Sequence, residues 1–330
     1  MGTIYIGMDI HKNYIHAVGV DAKGRKVIEQ RLGADRESIT VFLGQFSDVH
    51  VAIESTTVWV HIYEAIDSMG IEVTLVNTRG TKQKMKTDKL DALKLARCLR
   101  TGFIARSYIP SRQIRELRNL TRHRISLVKT RTVTKNKIHS ILLKNGVRHG
   151  FSDVFGKAGK GWLKTIDISP TENYGLRSYL AVLSSIDKEI ASVEKRVKKE
   201  CKANIMAMLL TTIPGVDYWS ALLIIAEVAD IGRFPEPKKP CSYAGLVPTV
   251  SQSGSHTYYG HTIKECCTNL KWILVQCSWV HVRCCPDSCI TKRFRRVAKK
   301  RGSGKAIISA ANKMAIAIWS MLTRMEEFRV

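Results

Sequence analysis

Four acidic residues stand at element ends in a strongly basic chain: Asp9 and Glu54 each close a short apolar run, and Asp88 and Asp91 open a helical one. Carboxylates are hard oxygen ligands, and a cluster of them repels itself unless a cation is present. The 330 residues include 53 Lys and Arg against 28 Asp and Glu, a net charge of +25 that favours nucleic acid or another polyanion as partner. A few carboxylates at element ends in such a chain point to a divalent-metal site, Mg²⁺ or Mn²⁺, working on phosphate. Two such ions could bracket a phosphodiester. That is the chemistry of a nuclease or a recombinase. Charge alone would equally suit a ribosome-like or merely basic protein, so it sets a class and not a mechanism.

The elements that must hold these residues are legible in the pattern. From residue 3 to 11 the chain alternates, with Ile4, Ile6, Met8 and Ile10 on one face and Tyr5, Gly7, Asp9 and His11 on the other. A second strand near 14–20, a turn at Asp21–Gly24 and a third strand near 26–32 complete an antiparallel meander. Helix and strand then alternate: a helix over 36–46, a strand over 50–54 ending at Glu54, a helix over 58–69, a strand over 71–76, a basic loop over 79–86 and a helix over 87–99. Asp88 and Asp91 are three apart and share one side of that helix, behind Thr87 as N-cap. Three hairpin strands followed by alternating helices and strands is the order of an RNase H-like (RuvC-like) mixed sheet. In it the strands ending at Asp9 and Glu54 lie side by side. Helix-start chemistry would account for the Asp pair alone, and a solvent-facing strand end for Asp9 alone; their joint placement favours the metal site. An actin-like ATPase also opens on a strand and an Asp, but needs a Gly- and Thr-rich turn where this chain has Ile10-His11-Lys12-Asn13. Gly302-Ser303-Gly304-Lys305 is too short for a Walker A motif and reads as a basic loop.

The rest reads as mainly helical. One long basic helix over 111–144 carries Arg115, Arg118, Arg122, Arg124, Lys129, Arg131 and Lys135 with Glu116 as its only acid, a candidate phosphate-contacting face. Residues 145–175 read as a connector. A second helix over 176–202 has a coiled-coil-like seam, from Leu176 through Leu183, Ile190 and Val197 to Cys201, to pair within the chain or with another subunit. Ile213-Pro214-Gly215-Val216 resembles half of a helix-hairpin-helix, or equally a tight turn between packed helices; an apolar helix over 219–229 follows. By composition, Ser251–Ser255 is a flexible polar loop. Cys266, Cys267, Cys284, Cys285 and Cys289 crowd the C-terminal third with His281 nearby, a conceivable zinc site but without two clean C-x-x-C pairs; buried free thiols are the expectation. No apolar stretch reaches the ~20 residues of a spanning helix and no signal pattern opens the chain, so a cytoplasmic location with reduced cysteines is expected. The fold class is thus α/β plus α, with a catalytic domain at 1–108, a basic helical and coiled-coil region at 109–204 and a C-terminal domain at 205–330.

Five motifs in order carry a resemblance: Ile-Gly-Met-Asp9, Ile-Glu54-Ser-Thr, Lys-Thr-Asp88-Lys-Leu-Asp91-Ala, Ile-Pro-Gly-Val, and Ala-Gly-Leu-Val-Pro with Ser253-Gly254. Together they resemble the IS110 family of insertion-sequence transposases, the bridge-RNA-guided DEDD recombinases, from about residue 3 to 320. The resemblance implies a RuvC-like domain, a coiled-coil middle and a C-terminal transposase domain. It implies that Asp9, Glu54, Asp88 and Asp91 bind metal and that Ser253, with Ser255 as the alternative, attacks DNA to form a covalent phosphoserine. It further implies Mg²⁺ dependence, donor and target DNA, a structured guide RNA, and a homo-oligomer, dimer or tetramer, whose two active-site halves meet across subunits; it also implies a prokaryotic, nucleoid-associated setting. The chain departs from the pattern at Glu265–Lys271, where Lys271 replaces an expected Arg. Two rivals remain: a RuvC-like nuclease using activated water, and a non-enzymatic RNA- or DNA-binding scaffold.

Overall fold

The alternation of residues 4–10 builds the central strand of a five-stranded sheet. The computed structural model describes residues 2–77, 87–254 and 256–329. It divides into two compact units, Met1–Ile109 and Pro110–Val330. In the first, β1 (Ile4–Ile10), β2 (Tyr14–Val20) and β3 (Lys26–Gly33) form the antiparallel meander, followed by α1 (Arg36–Leu43), β4 (Val49–Glu54), α2 (Trp59–Asp67), β5 (Glu72–Val76) and α3 (Asp88–Thr101). The strand order is β3-β2-β1-β4-β5, with β1, β4 and β5 mutually parallel. This mixed sheet is consistent with an RNase H-like domain. The register pairs Met8 with Ile53, so Asp9 and Glu54 follow side by side at the ends of adjacent strands.

Both faces of the sheet are covered. Ile6, Met8 and Ile10 pack with Ile39, Phe42 and Leu43 of α1 and Ile62 and Ile66 of α2. The opposite face receives α3, through Leu95 and Leu99 against Ala52 and Val76. Gly7 makes that seat possible. A Cβ there would come 2.1 Å from the Ala92 carbonyl oxygen and 2.5 Å from the Ala96 nitrogen, so only a bare backbone lets α3 lie directly on β1. Thr87 caps α3 by accepting from the Leu90 amide, as its position predicts, and Gly102 ends it at φ +69°. The expected basic loop over 79–86 lies outside the described residues.

In the second unit the two long helices are α4 (Arg112–Lys144) and α6 (Pro170–Lys202), with a short α5 (Lys157–Leu163) between them. The expected connector is therefore partly helical, and α6 begins six residues early. Its start is Ser169, whose hydroxyl accepts from the Glu172 amide, followed by Pro170 in the first helical position, where proline's missing N–H costs nothing. Contacts Arg124–Glu194, Arg131–Asp187 and Lys144–Glu172 run in opposite chain directions, so α4 and α6 lie antiparallel. Of the expected seam, Leu176, Leu183, Ile190, Val197 and Cys201 are all buried, and they pack within the chain.

The remaining elements are α7 (Ile205–Leu210), α8 (Tyr218–Val228), a 3-10 turn at Ile231–Arg233, α9 (Lys238–Tyr243), β6 (Pro248–Ser253), β7 (His256–Thr262), α10 (Thr268–Cys284) and α11 (Cys289–Arg324). Almost every side chain of α8 is buried. Gly215 adopts φ +95°, and a Cβ there would meet the His281 nitrogen at 2.8 Å, so the Pro-Gly turn is packed against α10. Asp217 caps α8 in a reciprocal box with Ser220. By length and composition α11 could cross a membrane, but Ile307, Ala310, Met314 and Ile318 of its apolar half line this unit's core. The expected basic loop at 302–305 is instead helical, interrupted at Gly302 (φ +78°). All nine cysteines are free; Cys201, Cys241 and Cys277 are buried, but of the five expected as buried thiols Cys284 and Cys289 are exposed and Cys266, Cys267 and Cys285 intermediate.

Candidate active site

The C-terminal end of β1 and the first turn of α3 converge because Gly7 admits the helix. Asp9 is largely buried, while His11 and Asp88 are partly open. His11 Nε2 lies 3.1 Å from Asp9 Oδ2 and 3.4 Å from Asp88 Oδ2. One ligand atom from each of Asp9, His11 and Asp88 falls within 4.8 Å of the others, a set that could hold a metal ion. Tyr14, at the start of β2, stacks on the His11 ring at 4.6 Å and donates its hydroxyl to Asp88 Oδ2 at 2.9 Å. The Arg31 guanidinium lies over the Tyr14 ring, 3.9 Å from its centre.

The electrostatics separate the two aspartates. Burial pushes Asp9 above the ordinary carboxylate value and the charges of Asp88 and Asp91 add to this, against the pull of His11. The Tyr14 hydroxyl, helped by His11, holds Asp88 below its ordinary value despite some desolvation. Asp91 is therefore close enough to be felt at Asp9, while Asp91 and Glu54 stand outside the tightest set. His11 and Tyr14 join the site in addition to the carboxylates that the sequence pattern points to. The alternation does put His11 on the face of Asp9, but Tyr14 reaches a partner 74 residues away in sequence.

Ser253 ends β6, paired with His256 across a hairpin whose turn contains Gly254 at φ +57°. The expected flexible loop is thus an ordered two-stranded ribbon, exposed along β6 and over most of β7. Ser255 lies outside the described residues. The Ala-Gly-Leu-Val-Pro motif anchors the ribbon's base: Gly245 (φ +64°) faces Cys266 too closely for any Cβ, Leu246 is buried, and Asn312 donates to the Leu246 carbonyl. Lys271, the departure from the family pattern, donates to the Thr262 hydroxyl at 3.1 Å and so ties β7 to α10.

The basic face of α4 divides. Arg118 donates to the Ala226 and Glu227 carbonyls at the end of α8, at 2.7 and 3.1 Å. Arg122 makes two bonds, 2.8 and 2.7 Å, to the fully buried Glu227 carboxylate. Arg124 pairs with Glu194 and covers the Trp219 ring at 4.3 Å. Arg115 donates to the Pro110 carbonyl, Arg131 lies 3.7 Å from Asp187, and Lys135 sits over Phe155. Lys129 is exposed.

Comparison with known proteins agrees with this architecture. Residues 6–145 match the IS110-type DEDD transposase domain, and residues 207–295 match the domain described as transposase IS116/IS110/IS902 family. The transposase for insertion sequence element IS1111A of Coxiella burnetii is 25% identical, over 98% of this chain and 91% of that protein. The transposase for IS1328 of Yersinia enterocolitica is 23% identical, over 97% of this chain and 96% of that protein. The transposase for IS1533 of Leptospira borgpetersenii is 24% identical, over 84% and 85%. With two domains of one family matched in order and full-length similarity to its named transposases, the chain belongs to the IS110 family of transposases, enzymes of DNA strand transfer.

Proposed function

We propose that this transposase exchanges strands between donor and target DNA through a covalent phosphoserine, with Ser253 as nucleophile and Asp9, Glu54, Asp88 and Asp91 as a divalent-metal site. The observation that carries the reading is the convergence of Asp9 and Asp88 from two elements, with His11 between them. Mg²⁺ suits the carboxylate oxygens; the imidazole nitrogen of His11 would favour Mn²⁺. When bound, such an ion would offset phosphate charge and ease deprotonation of an attacking hydroxyl. The raised Asp9 carboxyl supports this, since it records burial and mutual repulsion that a cation would relieve.

The serine step balances without a nucleotide. Ser253 Oγ forms a bond to phosphorus, a backbone P–O bond breaks, and the departing DNA oxygen takes a proton. Attack by a second DNA hydroxyl then releases the serine and restores a phosphodiester. A serine hydroxyl needs a base. His256 is the register partner of Ser253, and cross-strand partners share a face, which supports it as the proton acceptor. Exposure of the hairpin supports access by DNA.

A structured guide RNA, Mg²⁺ as the working ion, assembly into a dimer or tetramer, and a cytoplasmic, nucleoid-associated setting belong to the same proposal and rest on the family resemblance. On α4 the phosphate contacts would fall to Lys129, Arg131 and Lys135, with Arg115 at the helix start. Arg118, Arg122 and Arg124 would act there only by giving up internal partners.

The test is a denaturation-resistant protein–DNA adduct. Purified protein, RNA transcribed from the element's flanks, labelled donor and target DNA and Mg²⁺ should yield one, and Ser253→Ala should remove it. Cleavage without an adduct would favour the metal–water nuclease, and an adduct that persists in Ser253→Ala would move the nucleophile elsewhere.

A further inference from the structure

The long basic helix α4 is answered by its own chain: Arg112, Arg122, Arg124, Arg131 and Lys144 each face a carboxylate. The first half of α11 repeats that charge density with no such answer. No acidic residue occurs between Asp287 and Glu326, and eight Lys and Arg fall between Lys292 and Lys305. All eight are exposed, and among the described residues none has an ion-pair partner. Lys292, Arg295, Arg296 and Lys299 recur at spacings of three and four and so form one stripe. The opposite side of the helix holds Ile290, which is buried, and Phe294, edge-on to Trp279 at 5.6 Å. Beyond the break at Gly302 the helix sinks into the core through Ala306, Ile307 and Ala310. The stripe is therefore mounted on a fixed platform.

We propose that this stripe on α11 is a contact surface for the phosphate backbone of double-stranded DNA. Cations at these spacings repel one another, and a polyanion relieves that repulsion. From Lys292 to Arg301 every exposed side chain is a Lys or Arg. The surface thus offers a row of cations with no acceptor beside them, the composition of a surface that holds and positions a phosphate backbone. A lipid headgroup layer fits less well, because the helix's apolar side faces the protein core and cannot enter a membrane interface. Strand transfer acts on duplex DNA, so DNA is the polyanion assigned here, and a structured RNA is the outcome the test separates from it. The surface is additional to the serine hairpin, the carboxylate site and the face of α4.

The test uses the full-length protein, a labelled 40-bp duplex of arbitrary sequence (about four helical turns), and fluorescence anisotropy over a range of salt. The variant carries K292Q, R295Q, R296Q and K299Q together, and its circular dichroism and melting curve establish that it folds. Four lost phosphate contacts should lower the slope of log K against log salt by about 3.6. Raising salt from 50 to 200 mM should then weaken wild-type binding about a hundredfold more than it weakens the variant. A second variant, K292R, R295K, R296K and K299R, keeps the charge and should keep the slope. A folded glutamine variant with the wild-type slope overturns the proposal. So does loss confined to a structured RNA of equal length, which would assign the stripe to RNA. Wild-type protein without salt-dependent DNA binding would overturn both this surface and the strand-transfer reading, whereas an unchanged glutamine variant beside a normal wild type overturns the surface alone.

Discussion

Replacing Arg122 by alanine should damage the fold of the second unit more than its affinity for nucleic acid. Glu227 is fully buried, and Arg122 supplies its two shortest contacts, 2.8 and 2.7 Å. Asn269 at 3.1 Å, the Cys267 thiol at 3.4 Å and Arg118 at 3.8 Å complete the shell. Burial opposes ionisation of Glu227; Arg122 first, then Asn269 and Arg118, outweigh it and hold the carboxyl below its ordinary value. Burial and the Glu227 charge have the opposite effect on Cys267, whose thiol is pushed up to about 11. Removing one partner of a buried pair costs about 3–5 kcal/mol; Arg118 remains nearby and Arg122 is itself half open, so the lower end, about 3 kcal/mol, is expected. For a unit of this size that lowers the melting temperature by about 6–12 °C. Five of the six tryptophans lie in this unit, so fluorescence melting reports on it. The double variant Arg122→Ala with Glu227→Leu should recover part of the loss, because the buried carboxylate is gone while Arg118 keeps its bonds to the Ala226 and Glu227 carbonyls. A single variant that melts within about 2 °C of wild type but binds DNA with a shallower salt slope would refute the reasoning, and would make Arg122 a phosphate contact after all.

Gly7→Ala should destabilise the first unit by about 2 kcal/mol or more, since the new Cβ meets backbone atoms of α3 that cannot swing aside; by displacing Asp88 it should also weaken Mn²⁺ binding, and unchanged calorimetric affinity would refute that coupling. Tyr14→Phe removes the hydroxyl that donates to Asp88 Oδ2 and fixes the orientation of that carboxylate, so Mn²⁺ affinity should fall about tenfold, read by calorimetry, with no fall if the hydroxyl is idle. His281 is buried, donating Nδ1–H to the Pro214 carbonyl, with Nε2 2.8 Å from the Ser288 hydroxyl; burial lowers its value below 6.5. The unfolded chain therefore takes up more protons than the native one below about pH 6.5, so its stabilising contribution is complete above that pH and is lost as pH falls toward the folded value. The melting temperature of wild type should fall more from pH 7 to 5 than that of His281→Asn, and equal falls would show that His281 is not the titrating group.

What the sequence discloses depends on whether a residue's partner is local. Alternation in β1, the Thr87 cap and the three-residue spacing of Asp88 and Asp91 are local facts, and they foretell the sheet order and the meeting of Asp9 with the start of α3. The serine ribbon escapes because both its strands are polar and exposed; without burial there is no two-residue period to read. The charges are the harder lesson. Arg118 and Arg122 on α4 are indistinguishable in sequence from Arg295 and Arg296 on α11, since each set recurs at helical spacing in a run almost free of acids. What separates them is Glu227, 105 residues from Arg122 and set in the apolar run Ile224-Ile225-Ala226-Glu227-Val228. A lone carboxylate in such a run demands a cation, because burying it unpaired would cost several kcal/mol. That demand is visible in the sequence; which arginine meets it is decided only by the packing of α4 on α8. The α11 cations differ in the same way, by packing and not by sequence: Lys292, Arg295, Arg296 and Lys299 are exposed, and no carboxylate from any described element pairs with them, so they stay available to DNA.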